Sequence, residues 1–134
     1  MFVYKRTAQY HETDKMGVIH HSNYIKWMEE ARVSFMDELG LSYRQMEAGD
    51  IVSPVAGLSV EFKRPVDFAD EVELRLSVSR YTGAVLEFGY EIFDLTKGET
   101  AAVAASKHCF IRDGRPVSLK KALPELDAKL RSGV

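Results

Sequence analysis

The densest group of chemistry-bearing side chains is the run Tyr10-His11-Glu12-Thr13-Asp14-Lys15-Met16-Gly17-Val18-Ile19-His20-His21-Ser22-Asn23-Tyr24. Carboxylates, imidazoles and a glycine all stand just ahead of a segment whose apolar spacing turns helical. A helix start offers unpaired N–H groups and a partial positive charge, which stabilise a polarised carbonyl or a developing oxyanion. A carboxylate held a few ångströms away can attack that carbonyl or activate a water. Acyl transfer or hydrolysis is the chemistry such a cluster suits. Taken on its own, Asp14 is more simply a turn-capping residue, because its short acceptor side chain closes turns readily. His20, His21 and Glu12 are a poor metal set: adjacent histidines diverge and no third ligand follows at helical spacing. Gly17 is either an ordinary turn glycine or one that lets backbone approach a ligand.

The elements that position this run are legible from periodicity. Residues Phe2 to Gln9 are rich in Val, Tyr and Thr and predict a first strand. Tyr10 to Ser22 reads as a loop. From Asn23, the residues Tyr24, Met28, Ala31, Phe35 and Leu39 recur at spacings of three and four, with Ile25, Trp27 and Met36 widening the stripe. Ser22 or Asn23 is expected to cap this helix and Gly40 to end it. Glu29 and Glu30 read most simply as its solvated edge, although one of them can face a groove. Trp27 reads as core or interface.

Beyond Gly49-Asp50 the period becomes two: Leu58, Val60, Phe62; Val72, Leu74, Leu76, Val78; Leu86, Phe88, Tyr90, Ile92; and, more weakly, Thr100 to Ile111. Turn signals at Pro65 to Asp70, Thr82-Gly83, Lys97-Gly98 and Asp113-Gly114 separate the runs and imply antiparallel neighbours. Leu119 to Leu130 can hold a short helix with Pro124 in a first turn. One sheet must cover one very apolar helix, so a curved sheet wrapped around it is the economical solution. Such a layer leaves open edges, and pairing with another copy is expected.

Composition narrows the function classes. The chain has 134 residues, 46% of them apolar and 28% charged, with a formal net charge of -2. That length suits one domain over residues 1–134. A near-neutral chain without a basic block is a poor nucleic-acid binder. The lone Cys109 forms no internal disulfide and lacks a zinc partner set, and a dyad with His108 fails because neighbours in a strand point to opposite faces. Early charges argue against a signal peptide, and no apolar run approaches the roughly 20 residues that span a bilayer. The expectation is a cytoplasmic protein with no membrane partner. There is no G-x-S-x-G elbow, P-loop or dinucleotide glycine fingerprint.

The run TDKMGVIHHSNYIKWMEEAR, from Thr13 to Arg32, resembles the signature of hotdog-fold acyl-CoA thioesterases of the 4-hydroxybenzoyl-CoA thioesterase and YbgC type. FKRPVDFADEVEL, from Phe62 to Leu74, is similar to that family's strand-turn-strand unit, and DGRPVSL, from Asp113 to Leu119, to its late turn. The resemblance implies an α+β hotdog fold, a curved antiparallel sheet around one long central helix. It implies hydrolysis of an acyl-CoA thioester, or of an acyl-carrier-protein thioester, without cofactor or metal. Asp14 takes the position of the family's catalytic aspartate, which has been considered both as a nucleophile and as a base for water. Gly17 matches the catalytic-loop glycine. His21 stands where a backbone N–H polarises the carbonyl, and Asn23 and Tyr24 match the helix opening. Lys63 and Arg64, with Arg80, Arg112 and Arg115, are expected to supply positive charge for the CoA phosphates, although each also reads as a solvated strand-end charge.

His20 departs from the aromatic residue more usual there, and Lys15-Met16 replace smaller residues, which leaves the acyl preference open. A related branch carries its carboxylate on the central helix, where Glu29 or Glu30 would serve. The competing readings are a non-catalytic acyl-binding or partner-binding hotdog module and a hotdog dehydratase; the Asp14-to-Tyr24 spacing argues against the latter. A homodimer or a dimer-of-dimers tetramer is expected.

Overall fold

The computed structural model describes residues 1–132. Strand β1 (Phe2–Thr7) leads through a short 3-10 turn at Tyr10–Glu12 into the polar loop. Helix α1 (Ser22–Glu38) follows, then a second helix α2 (Tyr43–Ala48) and a short strand β2 (Ile51–Val52). Four longer strands come next: β3 (Val55–Phe62), β4 (Glu71–Tyr81), β5 (Val85–Asp94) and β6 (Glu99–Cys109). The chain closes with β7 (Ile111–Arg112), β8 (Arg115–Pro116), α3 (Leu119–Ala122) and α4 (Pro124–Arg131).

The main sheet is antiparallel, in the order β1-β4-β5-β6-β3. The turns at Thr82-Gly83 and Lys97-Gly98 join antiparallel neighbours as expected, but Pro65 to Asp70 does not: β3 and β4 lie apart and β3 pairs with β6, while Asp113-Gly114 joins the short strands β7 and β8. The alternation in β5 is complete: Leu86, Phe88, Tyr90 and Ile92 point inward and every intervening residue is only partly covered. The inward faces of β4 and β5 meet the stripe of α1, where Tyr24, Trp27, Met28, Ala31, Phe35, Met36 and Leu39 are buried. Phe35 packs edge-on against Phe88 with ring centres 5.6 Å apart. Burying a large apolar side chain of this kind contributes about 1.5–3 kcal/mol, so the helix is held mainly by this face.

Several local expectations are corrected. Ile25 does not widen the stripe; it is exposed on the other side of the helix. Neither Ser22 nor Asn23 caps α1, because His21 occupies that position with helical backbone angles and no side-chain capping bond. The side chains of Ser22 and Asn23 are engaged with the preceding loop instead. Gly40 does end the helix, at φ +90, in a region that side chains disfavour. α2 was not anticipated. It is a six-residue helix opened by a capping box, with Ser42 Oγ accepting from the Gln45 N–H at 3.2 Å and Gln45 Oε1 accepting from the Ser42 N–H at 2.8 Å. β1 stops at Thr7, two residues early, where Ala8 turns its N–H to the Asp70 carbonyl.

The two sheet edges are β1 and β3. β3 stands out because both of its faces are largely uncovered, with Val55, Leu58 and Phe62 44–50% exposed. No helix among the described residues is long and apolar enough to cross a membrane.

Candidate active site

The loop from Thr13 to Ile19 folds into a tight hairpin. The Asp14 N–H donates to the Val18 carbonyl at 2.8 Å, and Thr13 pairs with Ile19 in an antiparallel bridge. Gly17, at φ +81, makes the reversal possible, and a Cβ there would meet no atom within 4 Å. The requirement is therefore conformational rather than spatial. The hairpin is also bound to the β3–β4 connection: the Ile19 N–H donates to the Val66 carbonyl at 2.8 Å, and Val18 bridges to Asp67.

Asp14 is half-buried at the head of this hairpin. Its Oδ1 accepts the Met16 N–H at 2.8 Å, so the turn-capping role is present. Its Oδ2 makes no hydrogen bond among the described residues, and half of the carboxylate is free for a second task.

The helix start lies at the other end of the loop. His20 Nδ1 accepts the Ser22 N–H at 3.2 Å and lies 2.9 Å from Ser22 Oγ, which assigns the ring proton to Nε2. The His20 and His21 rings stack with centres 4.1 Å apart. The N–H groups of Asn23 and Tyr24 are taken up by the His20 and His21 carbonyls. The His21 N–H, in contrast, makes no hydrogen bond among the described residues. The imidazole of His21 is exposed and sits edge-on to Phe62.

Asn23 and Tyr24 are buried. Asn23 Nδ2 donates to the carbonyls of Glu12 (3.0 Å) and His20 (3.3 Å), tying the helix start to the loop. Tyr24 packs between Trp27 and Phe62, at 5.2 and 5.1 Å between ring centres, and burial pushes its hydroxyl pKa up. Lys63 and Arg64 follow the end of β3, both donating their backbone N–H to the Ala101 carbonyl. Their side chains are exposed, and Lys63 approaches only Glu61, at 3.3 Å.

Under this surface lies a network that sequence reasoning missed. Glu12 is buried; its Oε1 accepts the Gln9 N–H at 2.8 Å, and its Oε2 accepts from Trp27 Nε1 at 2.9 Å and faces Arg6 at 3.2 Å. Arg6 continues to Glu30 at 2.9 Å, and Glu30 also accepts from the Tyr4 hydroxyl. Glu30 is thus not a free solvated edge but the outer end of an ion-paired chain. The sequence signal was the pair Arg6 and Glu12 flanking a turn, which has no reading until the helix is placed above it. Among the described residues no group of three or more His, Cys, Asp or Glu side chains is arranged to hold a metal ion.

A family model described as the thioesterase-like superfamily matches residues 8–130. The chain belongs to the thioesterase-like superfamily. This thioesterase is 34% identical to a crystal structure of a DHNA-CoA thioesterase from Staphylococcus aureus, with TM-score 0.91 and coverage of 98% of this chain and 91% of that one. A hypothetical protein from Aquifex aeolicus is 32% identical with TM-score 0.88, covering 94% of this chain and 98% of that one. YneP of Bacillus subtilis, which carries a provisional acyl-CoA thioesterase name, is 32% identical over 120 residues, 88% of this chain and 86% of that protein. The expected hotdog fold and the expected enzyme class, a thioester hydrolase, are both borne out.

Proposed function

We propose that this thioesterase hydrolyses acyl-CoA thioesters to a carboxylic acid and free CoA, with Asp14 as its catalytic carboxylate. The observation that carries the reading is the pair of unused groups at the two ends of one braced loop, Asp14 Oδ2 and the His21 N–H. Asp14 takes a proton from a water, whose oxygen attacks the thioester carbon. Negative charge gathers on the former carbonyl oxygen, beside the His21 N–H. The C–S bond then breaks, and the proton returns from Asp14 to the departing sulfur. In the alternative course Asp14 attacks the carbon itself, and water opens the resulting mixed anhydride. Both courses need the same placement.

Gly17 permits the hairpin, and Asn23 and Tyr24 fix the helix start rather than offering exposed surface. Lys63 and Arg64 lie exposed beside Phe62, Lys63 with only its surface contact to Glu61, and are suited to the CoA phosphates. The uncovered β3 edge borders this same region through Phe62, which supports pairing of two copies along β3 with the acyl group held between them. Acyl-carrier-protein thioesters offer the same reacting bond and belong in the same trial.

The test is Asp14→Asn, assayed by thiol release against short, long and aromatic acyl-CoAs. The expected result is a loss of turnover of about 10²–10⁴-fold with acyl-CoA binding retained. Near-normal turnover would remove Asp14 from the chemistry. Silence of the wild-type enzyme across the whole panel would favour a non-catalytic acyl-binding module.

A further inference from the structure

Asp94 closes β5, and Asp70 stands just ahead of β4. Both carboxyl groups lie inside the protein, Asp94 with no exposed surface and Asp70 with 6%. Asp94 Oδ1 accepts the Lys97 N–H at 3.0 Å, but Oδ2 is buried and takes no bond from a donor among the described residues. The polar group within its reach is the Asp70 carboxyl. Ionised carboxylates only accept, so this contact is a hydrogen bond only while one of the two acids keeps its proton.

The surroundings decide which acid that is. Asp70 Oδ2 accepts the Asp67 N–H at 3.0 Å and lies 3.4 Å from the Lys97 ammonium, and both favour its ionised form. Burial opposes this, but hydrogen bonds from Asp94 and the Asp67 N–H, together with Lys97, hold the Asp70 carboxyl below its usual range. Burial, and then the bond to Asp70, push the Asp94 carboxyl up to about 6. The proton therefore sits on Asp94 Oδ2 and is donated to Asp70.

Other ionisable groups approach from each neighbouring element. Lys97, in the β5–β6 turn, also faces Asp67 at 2.8 Å. Glu99 of β6 stands opposite Asp94 in the register. The Tyr24 hydroxyl, from α1, senses the Asp94 and Asp67 charges. Glu71 turns its carboxylate to Thr7 Oγ1 instead, at 2.6 Å. Lys97 is the single cation of this group, so a proton on Asp94 relieves repulsion that Lys97 alone does not offset.

The pair lies at the foot of the β3–β4 connection. Asp70 closes that connection by holding the Asp67 N–H. The connection in turn holds the Asp14 hairpin, through the Val66 carbonyl to the Ile19 N–H and the bridge from Asp67 to Val18. Loss of the shared proton sets two buried carboxylates against each other directly beneath these contacts.

We infer that Asp94 is a positioning residue for the thioesterase reaction: by sharing one proton with Asp70 it fixes the β3–β4 connection and, through it, the hairpin that carries Asp14. The effect on turnover rests on the Asp14 reading; the brace itself does not.

The brace is read by NMR without substrate. The Asp94 carboxyl carbon is expected to titrate with a midpoint of about 6, against about 3.9 for a free aspartate. The backbone amides of Val18, Ile19 and Asp67 are expected to shift with that same midpoint. Asp94→Asn keeps a donor to Asp70 at every pH and is expected to abolish those amide shifts. An Asp94 midpoint at the free value, or hairpin amides that do not follow it, would overturn the inference. If the variant fails to fold, the wild-type carbon and amide titrations decide alone. Turnover is the second reading. As pH rises through about 6, the wild-type kcat is expected to drop relative to Asp94→Asn, by about ten-fold at pH about 8, with KM little changed. Parallel kcat profiles would refute the positioning role and leave the Asp14 reading intact. Near-normal turnover in Asp14→Asn would remove that reading and leave the NMR result standing, so the two failures are distinguishable.

Discussion

The indole nitrogen of Trp27 donates to Glu12 Oε2 over 2.9 Å, joining the buried face of α1 to the loop that carries Asp14. The same residue 12 offers its carbonyl to the His20 N–H at 2.8 Å and to Asn23 Nδ2 at 3.0 Å. Trp27→Phe keeps most of the apolar bulk but removes the donor. It is expected to cost about 1–3 kcal/mol of stability, read from urea unfolding. Turnover should fall as well, since the helix start loses part of its mooring. An unchanged unfolding midpoint would show that this bond contributes nothing.

Gly17→Ala should destabilise the protein by about 1–2 kcal/mol, the usual penalty for a side chain in the left-handed region. There is room for the methyl group, so the cost is in the backbone alone. Gly17→Asn should be milder, because asparagine tolerates that region. The comparison is made by thermal unfolding, and equal melting temperatures for wild type and the alanine variant would contradict it.

Two buried groups should give opposite pH slopes. Burial pushes the Asp94 carboxyl up to about 6, with Asp70 beside it adding to the shift. Unfolded, it titrates near about 3.9, so between these values the folded chain holds the extra proton. Its stabilising contribution is present at low pH and is lost as pH rises through about 6. His108 runs the other way: its imidazole sits at about 4 when folded and near about 6.5 when unfolded. Its contribution is present above the latter value and disappears as pH falls towards the former. Asp94→Asn should raise stability at pH about 7.5 by about 1–3 kcal/mol. His108→Gln should flatten the acid limb. Denaturant titrations from acid to neutral pH read both slopes, and parallel curves for wild type and Asp94→Asn would refute the first.

Leu58 lies on the uncovered β3 edge, 44% exposed. If copies pair along this strand, Leu58→Lys places like charges near each other in the pair. The expected result is a shift from dimer or tetramer towards monomer in light scattering, with turnover lost in step. A wild-type protein that is monomeric at working concentration would remove the pairing proposal.

The stripe of α1 was legible because seven of its apolar positions face one sheet, a pattern that survives without knowing the partner. The hairpin turns were legible for a local reason too, since glycine or aspartate beside glycine sets the chain reversal. α2 was not, because six residues are too short for a periodicity; only its Ser42–Gln45 capping pair marked it. The loop was visible as a polar cluster, but its bracing was not, since Val66 and Asp67 reach it from a distant connection. Arg32 carried a faint signal as a charge placed among the helix's apolar positions. Its partner Tyr90 lies 58 residues away, and that pairing exists only once the sheet is folded.

The hairpin of Asp14 is fastened to the β3–β4 connection, and that connection is gripped in turn by Lys97, whose Nζ reaches the Pro65 carbonyl and the Asp67 carboxylate at 3.0 and 2.8 Å. The β7–β8 turn at Asp113-Gly114 has no such duty: both residues are exposed, both adopt positive φ, and a Cβ at Gly114 would touch nothing within 4 Å. The scaffold thus has unequal places to accept new chain. Inserted segments, fused tags or relocated termini belong at residues 113–114, whereas added length between 65 and 70 would reach the Asp14 hairpin through only two backbone contacts.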